Sequence, residues 1–413
     1  YRSAPYGGGQ GIYIRYLSKA LVDAGHSVHV ISGPPYPHLD PRVKLIEMPS
    51  LDLFANGLGA LRLRHLTSVS NIIEWVSRLT GGFAEPSTFG RRVVKYLKKH
   101  GRDYDLIHDN QSLSFGMLKL QRQGFPLVTT LHHPITKDLK LALDAADNWW
   151  DRLLIRRWHA LLLMQKRVAR KLQHIVTVSK CSRDDIAQDF GIYPDRISLI
   201  YNGIDTDEFA PQPDVVRKPY RIMATASADQ PLKGVRYLLE AVAELAVDYP
   251  LLELLMVGKP QPDGYTGKLI RRLGIGERII CVSDISTRDL VRYYAEASVV
   301  VVPSLYEGFG LPAGEAMACG VAVVSSNGGA LPEVLGDTGV LVPAANSTAL
   351  RYAIADLLDN DDKREELGRR GRDRILNNFC WNLAAMQMTD YYHQVLEPET
   401  EAPHESFELE QVA

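Results

Sequence analysis

The chain has few cysteines, a small net charge and no long apolar run, and each of these features excludes a class of protein. None of the four cysteines forms a Cys-x-x-Cys pair, and the apolar surroundings of Cys281 and Cys319 predict buried thiols in a reducing cytosol. No segment has the apolar length of a membrane span or the pattern of a signal peptide. The formal net charge of −2 gives no indication of nucleic-acid binding. We therefore expect a cytoplasmic protein.

What is present is the length and periodicity of a two-domain α/β protein. Because 413 residues exceed what a single hydrophobic core usually supports, we expect two domains. Short β-branched runs alternate with helical segments, a pattern typical of parallel sheets flanked by helices. The predicted strands are 28–31, 106–108, 127–131, 175–178, 220–225, 252–257 and 279–282, and the predicted helices include 13–23, 151–171 and 235–248.

The domain boundaries follow from the place where this alternation pauses. Residues 1–200 are predicted to form one doubly wound domain and residues 201–380 a second, with the polar stretch 210–219 as linker. The cleft between two such domains is the expected binding site. Segment 381–396 has a helical pattern. Segment 397–413 has six glutamates and neither lysine nor arginine, so we expect it to be disordered.

The beginning of the chain departs from this pattern. Residues 1–6 lead directly into Gly7-Gly8-Gly9-Gln10-Gly11, with no initiator methionine. A glycine-rich turn that opens a helix should follow a central strand of a doubly wound domain, so the sequence predicts that the first strand is missing from this chain. Ile14 occupies the third glycine position of G-x-G-x-x-G. On their own, the glycines are typical of a flexible turn.

The most informative segment lies between two glutamates, Glu307 and Glu315. The run 297–303 before them is apolar and β-branched, which predicts a buried parallel strand. The run 313–319 after them is predicted to be helical, with Pro312 at its first turn. Glu307 is therefore expected in a loop at the carboxyl end of a strand, where open α/β sheets bind ligands. Glu315 is expected in the first helical turn, beside free N–H groups and facing solvent when the cleft is empty.

This arrangement of carboxylates suits a ligand that carries both phosphates and sugar hydroxyls. Gly308 and Gly310 allow the loop backbone to approach a ligand closely. Two glutamates at this spacing would alone indicate only a helix cap and a solvated carboxylate. The glycines, Pro312 and the preceding strand favour the binding site instead.

At this point the sequence resembles a known family. Glu307–Glu315 resembles the E-x7-E signature of the retaining nucleotide-sugar glycosyltransferases of family 4, which have the GT-B fold. Four further segments resemble that family in the same order along the chain, and the resemblance covers nearly the whole chain up to about residue 395. They are 176–179 (VTVS), 200–205 (IYNGID), 233–241 with its KG and LLEA elements, and 325–334 (SSNGGALPEV).

The resemblance implies that the helix 381–396 returns to the first domain, and it also implies roles for individual residues. It places Glu315 on the ribose hydroxyls, and Glu307 on the transferred sugar with backbone groups of Phe309, Gly310 and Leu311. It also places His132 against the transferred sugar, and Gly8 and Gly9 beside the donor phosphates. The implied mechanism is front-face retention, in which the leaving phosphate takes the acceptor proton, so that Glu307 is not a glycosidase-type nucleophile. Without the resemblance, His132 would be interpreted as a hydrogen-bonded turn residue. A metal site formed by His132 and His133 is disfavoured, because adjacent side chains of an extended segment point in opposite directions.

The diphosphate contact is where the chain differs from the family. Lys233 is the expected cation for the leaving diphosphate, although a lysine at a helix start is usually only solvated. The arginine that the family has several residues earlier is absent from 226–232. Either Ser227 and backbone N–H groups replace it, or another arginine does, or the activity is weakened. No Asp-x-Asp motif lies where it could hold a metal-bound diphosphate, so we expect a metal-independent enzyme without a cofactor.

The acceptor is not identified by the sequence beyond a hydroxyl of a glycan, lipid or small molecule. Segment 57–79 has apolar residues at helical spacing beside Arg62 and Arg64. It predicts either a helix packed on its own domain or a surface helix that would place the enzyme peripherally at the inner face of the membrane. A GT-B epimerase and a degenerate sugar-nucleotide binder are the alternative functions. The phosphorylase branch of the fold would need a longer chain and pyridoxal phosphate.

Overall fold

The structure, a computed structural model, describes residues 1–3, 9–144, 146, 148–225 and 229–397. All of the strand pairs are parallel, as alternation of strands and helices predicts. The strands are β1 (His29–Ser32), β2 (Lys44–Glu47), β3 (Ile107–Asn110), β4 (Leu127–Leu131), β5 (His174–Thr177), β6 (Ile197–Leu199), β7 (Arg221–Thr225), β8 (Glu253–Val257), β9 (Ile279–Val282), β10 (Val299–Val302), β11 (Val323–Ser326) and β12 (Val340–Val342).

Helices cover both faces of these sheets. Across the part of the chain that the structure describes they are α1 (Gly9–Asp23), α2 (Leu53–Asn56), α3 (Val69–Leu79), α4 (Glu85–His100), α5 (Phe115–Arg122), α6 (Thr136–Asp144), α7 (Trp149–Trp158), α8 (Leu161–Ala169), α9 (Lys180–Phe190), α10 (Val235–Asp248), α11 (Tyr265–Leu273), α12 (Thr287–Glu296), α13 (Leu311–Ala318), α14 (Leu331–Leu335), α15 (Ser347–Leu358), α16 (Asp361–Asn378) and α17 (Trp381–Leu396).

The second half of the chain forms a six-stranded sheet whose order explains where the site lies. The strands are arranged β12-β11-β10-β7-β8-β9. From β7 the chain moves outward through β8 and β9, and from β10 it moves outward in the opposite direction. The order therefore reverses between β7 and β10, and open α/β sheets bind ligands at the carboxyl end of such a reversal. The loops that follow β7 and β10 carry Lys233 and Glu307.

The first half has a four-stranded sheet, β3-β4-β5-β6, and a separate pair, β1-β2. A cavity of about 470 Å³ lies between β1 and β3, lined by residues of both strands and of α1, α4 and α17. Arg2 forms an isolated parallel bridge with Gly33, just beyond β1. Among the described residues no strand joins the two sheets. The prediction that a strand is missing before Tyr1 stays a prediction.

The last helix lies beside the first domain, although it follows the second in sequence. Trp381 stacks on Tyr16 of α1 at 6.1 Å between ring centroids. Further along α17, the phenol of Tyr392 lies 2.6 Å from His108 Nδ1 in β3. Because α17 packs against α1 and the four-stranded sheet, its position in sequence does not show its position in space.

Three sequence expectations are wrong in detail. The helix expected at 151–171 is divided into α7 and α8 by a break at His159-Ala160. Segment 57–79 is not one helix but two short 3-10 turns followed by α3. Cys319 is buried as expected, whereas Cys281 is exposed because β9 is the edge strand of its sheet. Within the described ranges, each helix is too short or too polar to span a bilayer.

Candidate active site

The loop between β10 and α13 carries the first glutamate, and its geometry follows from the sequence. All four valines of β10 are buried, since the strand is covered on both faces. Gly310 adopts a left-handed conformation (φ 103°) as the N-cap of α13, which a residue with a side chain rarely adopts. Phe309 is buried, with its ring 5.8 Å from that of Phe379. Its side chain therefore anchors the loop, and only its backbone is available to a ligand. Leu311 begins the helix.

Glu307 and Lys233 are paired directly. Lys233 Nζ donates to Glu307 Oε1 at 2.7 Å, and the Ser304 hydroxyl donates to the same oxygen at 2.7 Å. The two side chains are 25% and 12% exposed, so the pair is partly shielded from water. Lys233 ends the 3-10 turn Pro231–Lys233, and Gly234 follows it because a side chain there would collide with the Pro303 carbonyl. The sequence-predicted anion-binding lysine and sugar-binding glutamate are thus brought together.

Glu315 lies deeper than expected. It is in the second turn of α13, since the helix begins at Leu311, and it is 9% exposed. The Tyr294 phenol donates to its Oε2 at 2.9 Å. Burial, opposed by this hydrogen bond and reinforced by Glu208, raises the pKa of Glu315 to about 7. The expectation of a solvent-facing carboxylate in the first turn is therefore wrong, because α12 packs Tyr294 over this position.

The opposite wall of the cleft is built around His132. Its Nε2 lies 2.6 Å from Asn110 Oδ1, and its backbone N–H donates to Gln111 Oε1 at 2.6 Å. The Tyr13 ring packs edge-on at 4.6 Å. Burial, followed by the charges of His133 and His108, lowers the pKa of His132 to about 3. The imidazole is therefore neutral. Because the Asn110 oxygen only accepts, Nε2 carries the hydrogen and Nδ1 is left as an acceptor.

The two walls meet at Gly308. A Cβ at this position would lie 3.3 Å from the His132 carbonyl oxygen and 3.4 Å from His133 Nδ1. The loop that carries Glu307 therefore contacts the segment that carries His132. Gly9, the first residue of α1, adjoins the same wall, because the carbonyl of Gln10 accepts from Asn110 Nδ2 at 3.3 Å. Two predicted donor-site residues, Gly8 and Ser227, lie outside the described residues.

Sequence reasoning missed the residues that hold the carboxylates. Ser304 could have been found, since a serine three residues before a loop glutamate is within hydrogen-bonding reach. Tyr294 could not, because it lies 21 residues before Glu315 on a separate helix, and only tertiary packing brings them together. Over the described ranges, no three His, Cys, Asp or Glu side chains are grouped so as to hold a metal ion.

Two family models and several relatives match both halves of the chain. The family model described as Glycosyltransferase Family 4 matches residues 7–208, and the one described as Glycosyl transferases group 1 matches residues 207–374. An MMP alpha-(1->4)-mannosyltransferase of Mycolicibacterium hassiacum is 44% identical over 402 residues, covering 96% of this chain and 97% of the relative. A phosphatidyl-myo-inositol mannosyltransferase of Mycolicibacterium smegmatis is 29% identical, covering 94% and 90%.

Solved structures with the same architecture also match nearly the whole length of the chain. Sucrose-phosphate synthase from Thermosynechococcus elongatus superposes with a TM-score of 0.72 at 27% identity, covering 95% of this chain and 94% of that one. The glycosyltransferase WaaG superposes with a TM-score of 0.68 at 16% identity, covering 95% and 98%. At that identity the likeness concerns the fold alone. The predicted α/β class with two doubly wound domains is confirmed.

Proposed function

The chain belongs to glycosyltransferase family 4 and has the GT-B fold, and we propose that it is a retaining mannosyltransferase. In this proposal it moves mannose from a nucleoside diphosphate sugar to a hydroxyl of a glycan and forms an α-(1→4) linkage. The Mycolicibacterium hassiacum relative, whose name gives this sugar and linkage, supports both. The relatives' names also favour transfer over the epimerase and the non-catalytic binder considered above.

The observation that carries the proposal is the Lys233–Glu307 pair at the point where the strand order reverses. A diphosphate that enters the site is the natural competitor of Glu307 for the lysine, because both are anions. When the phosphate takes Lys233, the Glu307 carboxylate becomes free to accept hydrogen bonds from hydroxyls of the transferred sugar. Glu315 lies below, where it would accept from the ribose. In this proposal each carboxylate thus binds a different part of the donor, Glu307 the transferred sugar and Glu315 the ribose.

The reaction breaks the bond between the anomeric carbon and the diphosphate oxygen and forms one to the acceptor oxygen on the same face. Negative charge grows on the leaving diphosphate, and Lys233 is placed to stabilise it. The leaving phosphate takes the acceptor proton. His132, neutral and held by Asn110, would orient the sugar and transfer no proton. We infer that Lys233 and backbone N–H groups replace both a divalent metal and the family's arginine.

The test is a donor and acceptor assay. Purified enzyme is incubated with GDP-mannose, UDP-glucose or ADP-glucose and an α-(1→4)-linked mannooligosaccharide, and products are followed by mass spectrometry and NMR. We expect transfer from the mannose donor, with the new linkage keeping the donor's anomeric configuration. Transfer of another sugar would contradict the mannose assignment. An inverted anomeric centre would contradict retention, and donor isomerisation without acceptor would favour the epimerase.

A surface of the first domain supports a peripheral membrane contact, which we include in the proposal. Helix α3 buries its polar face and exposes its apolar face, the reverse of the usual arrangement. Its one fully buried side chain is Glu74, which accepts from Arg92 at 2.6 Å, whereas Val69 is 65% exposed. Helix α7 lies beside it, joined by a hydrogen bond from Arg157 to Thr80. Their exposed apolar residues are Val69, Ile72, Val76, Leu79, Trp149, Trp150, Leu153 and Leu154.

The charges around this surface favour an anionic bilayer. Arg152, Arg156 and Arg157 project from α7, where Asp151 is the acidic residue. An apolar helix face with arginines at its edge is typical of interfacial helices, which bury the apolar face below the headgroups. Exposed apolar surfaces of this extent usually mark an interaction site. We therefore propose that the enzyme docks on an anionic bilayer through α3 and α7.

A further inference from the structure

One helix of the first domain, α9, contacts the donor-side loop of the second domain. Its N-cap residue Ser179 and its Ser182 both donate to the carbonyl oxygen of Gly308, at 2.7 and 3.1 Å. One turn further along, Asp185 accepts from the Tyr306 phenol at 2.7 Å. The residues on both sides of Glu307 are therefore held by a helix of the opposite domain.

Glu333, on α14, holds the beginning of the same helix. Its Oε1 accepts from the backbone N–H of Cys181 at 2.7 Å, and its Oε2 from that of Lys180 at 2.8 Å. The first N–H groups of a helix have no acceptor within it, and the helix dipole favours a carboxylate there. The Tyr201 phenol also donates to Oε2, at 3.2 Å. Burial, followed by the charge of Glu333, raises the pKa of Tyr201 to about 12, so the phenol keeps its proton near neutral pH.

The backbone around Glu333 is connected to that of Glu307. Arg374 fixes α14 by donating to the carbonyl oxygen of Glu333 at 2.8 Å. At the start of the same segment, the backbone N–H of Ala330 donates to the carbonyl oxygen of Glu307 at 2.9 Å. Position 329 must be glycine, because a Cβ there would collide with the backbone of Glu307. A displacement of α14 is therefore transmitted directly to the Glu307 loop.

We propose that Glu333 is a positioning residue that holds the two domains closed by binding the N-terminus of α9. This closure keeps Glu307 against the wall that carries His132. The kinetic consequence rests on the proposed transfer reaction, whereas the closure does not depend on which sugar is transferred. Lys233, Glu307 and Glu315 all belong to the second domain, so a donor can bind before closure. Transfer to an acceptor on the first domain requires both walls.

Hydrogen–deuterium exchange tests the closure directly. In the structure, the amides of Lys180 and Cys181 donate to Glu333 rather than to an intrahelical acceptor. We expect Glu333→Gln to increase exchange in the peptide 178–184, because an amide presents only one acceptor oxygen. Glu277→Gln is the matched control, since Glu277 is exposed on the same domain and far along the chain from the loops involved. Unchanged exchange in Glu333→Gln would overturn the proposal.

Kinetics then separate positioning from a structural role. For Glu333→Gln we expect kcat to fall about ten- to a hundred-fold, as the loss of hydrogen bonds to a charged group implies, while GDP affinity by calorimetry changes less than about two-fold. Tyr201→Phe should have a smaller effect, and no further effect when added to Glu333→Gln. Increased exchange with an unchanged kcat would refute the positioning role.

The proposal can still be tested if Glu333→Gln does not fold or if the wild type transfers no sugar. If Glu333→Gln does not fold, Tyr201→Phe and Ser182→Ala are compared with the wild type by the same two measurements, and wild-type values in both variants would refute the proposal. If the wild type transfers no sugar, the proposed function fails, and the exchange measurement still decides whether Glu333 closes the domains.

Discussion

Replacing Lys233 with alanine should separate catalysis from binding. In the structure the ammonium of Lys233 is paired with Glu307 at 2.7 Å. A diphosphate that binds there forms one ion pair while another is lost, so the lysine contributes little to ground-state affinity. In the transition state the charge on the leaving diphosphate grows, and the balance shifts toward Lys233.

The expected magnitudes follow from this exchange of partners. Removing one preorganised group that faces developing charge typically costs about 10²–10³-fold in kcat, or about 2.7–4 kcal/mol. We expect that loss for Lys233→Ala, and a weakening of the binding of the intact nucleotide sugar of less than about ten-fold. Because the pair is partly exposed, the free energy of unfolding should fall by only about 1 kcal/mol.

The assay combines steady-state transfer kinetics with calorimetry of the intact nucleotide sugar in the absence of acceptor. Lys363→Ala is the matched control, since Lys363 forms a 2.6 Å pair with Asp356 on an exposed surface. Adding Glu307→Gln to Lys233→Ala should restore nucleotide affinity, by removing an unpaired carboxylate, without restoring kcat. A Lys233→Ala enzyme with wild-type kcat would mean that another cation carries the phosphate and would refute the reasoning.

The remaining predictions concern Glu315, the metal and the surface of α3. Burial raises the pKa of Glu315 from 4.5 to about 7, so its favourable contribution to the free energy of unfolding is complete below pH 4.5 and is lost as the pH rises through 7. In urea unfolding between pH 5 and 8, the wild type should therefore lose up to about 3 kcal/mol of stability relative to Glu315→Gln. A difference that does not change with pH would contradict this. Glu315→Ala should weaken GDP binding at least about ten-fold, and unchanged affinity would refute the ribose assignment. Activity should survive EDTA, and a strict Mg²⁺ or Mn²⁺ requirement would overturn metal independence. In vesicle flotation, Val69→Ser/Val76→Ser should reduce binding to phosphatidylglycerol vesicles while Val247→Ser, exposed elsewhere, should not; equal binding would exclude α3.

Local pattern was enough to locate eight of the strands and the loop that carries Glu307, but it missed the short strands β2, β6 and β12. The strand at 127–131 and the helix at 235–248 have the bounds expected from β-branched runs and from helical periodicity. These signals are local, because burial on both faces selects Val and Ile within a few residues. Where packing overrides local propensity, as at the break between α7 and α8, the same reasoning was wrong.

The sequence also misjudged how exposed the second glutamate is. Glycines and Pro312 indicated a helix start near Glu315, but the helix begins at Leu311 and Tyr294 covers the carboxylate. Similarly, the amphipathic pattern of 57–79 does not reveal which face is buried. In α3 the buried face is the polar one, because Glu74 is neutralised by Arg92 of the neighbouring helix.

Residue types at short, regular spacings were sufficient to recognise the α/β class and the family, and they predict Glu307 and Glu315 as the carboxylates of the site. Those spacings do not show that Lys233 is paired with Glu307, 74 residues away, or that Glu333 binds the N-terminus of α9, about 150 residues away; three-dimensional packing brings these groups together. Such pairings depend on strand order. The reversal between β7 and β10 brings two distant loops to one edge of the sheet, and the closed cleft brings α9 against them.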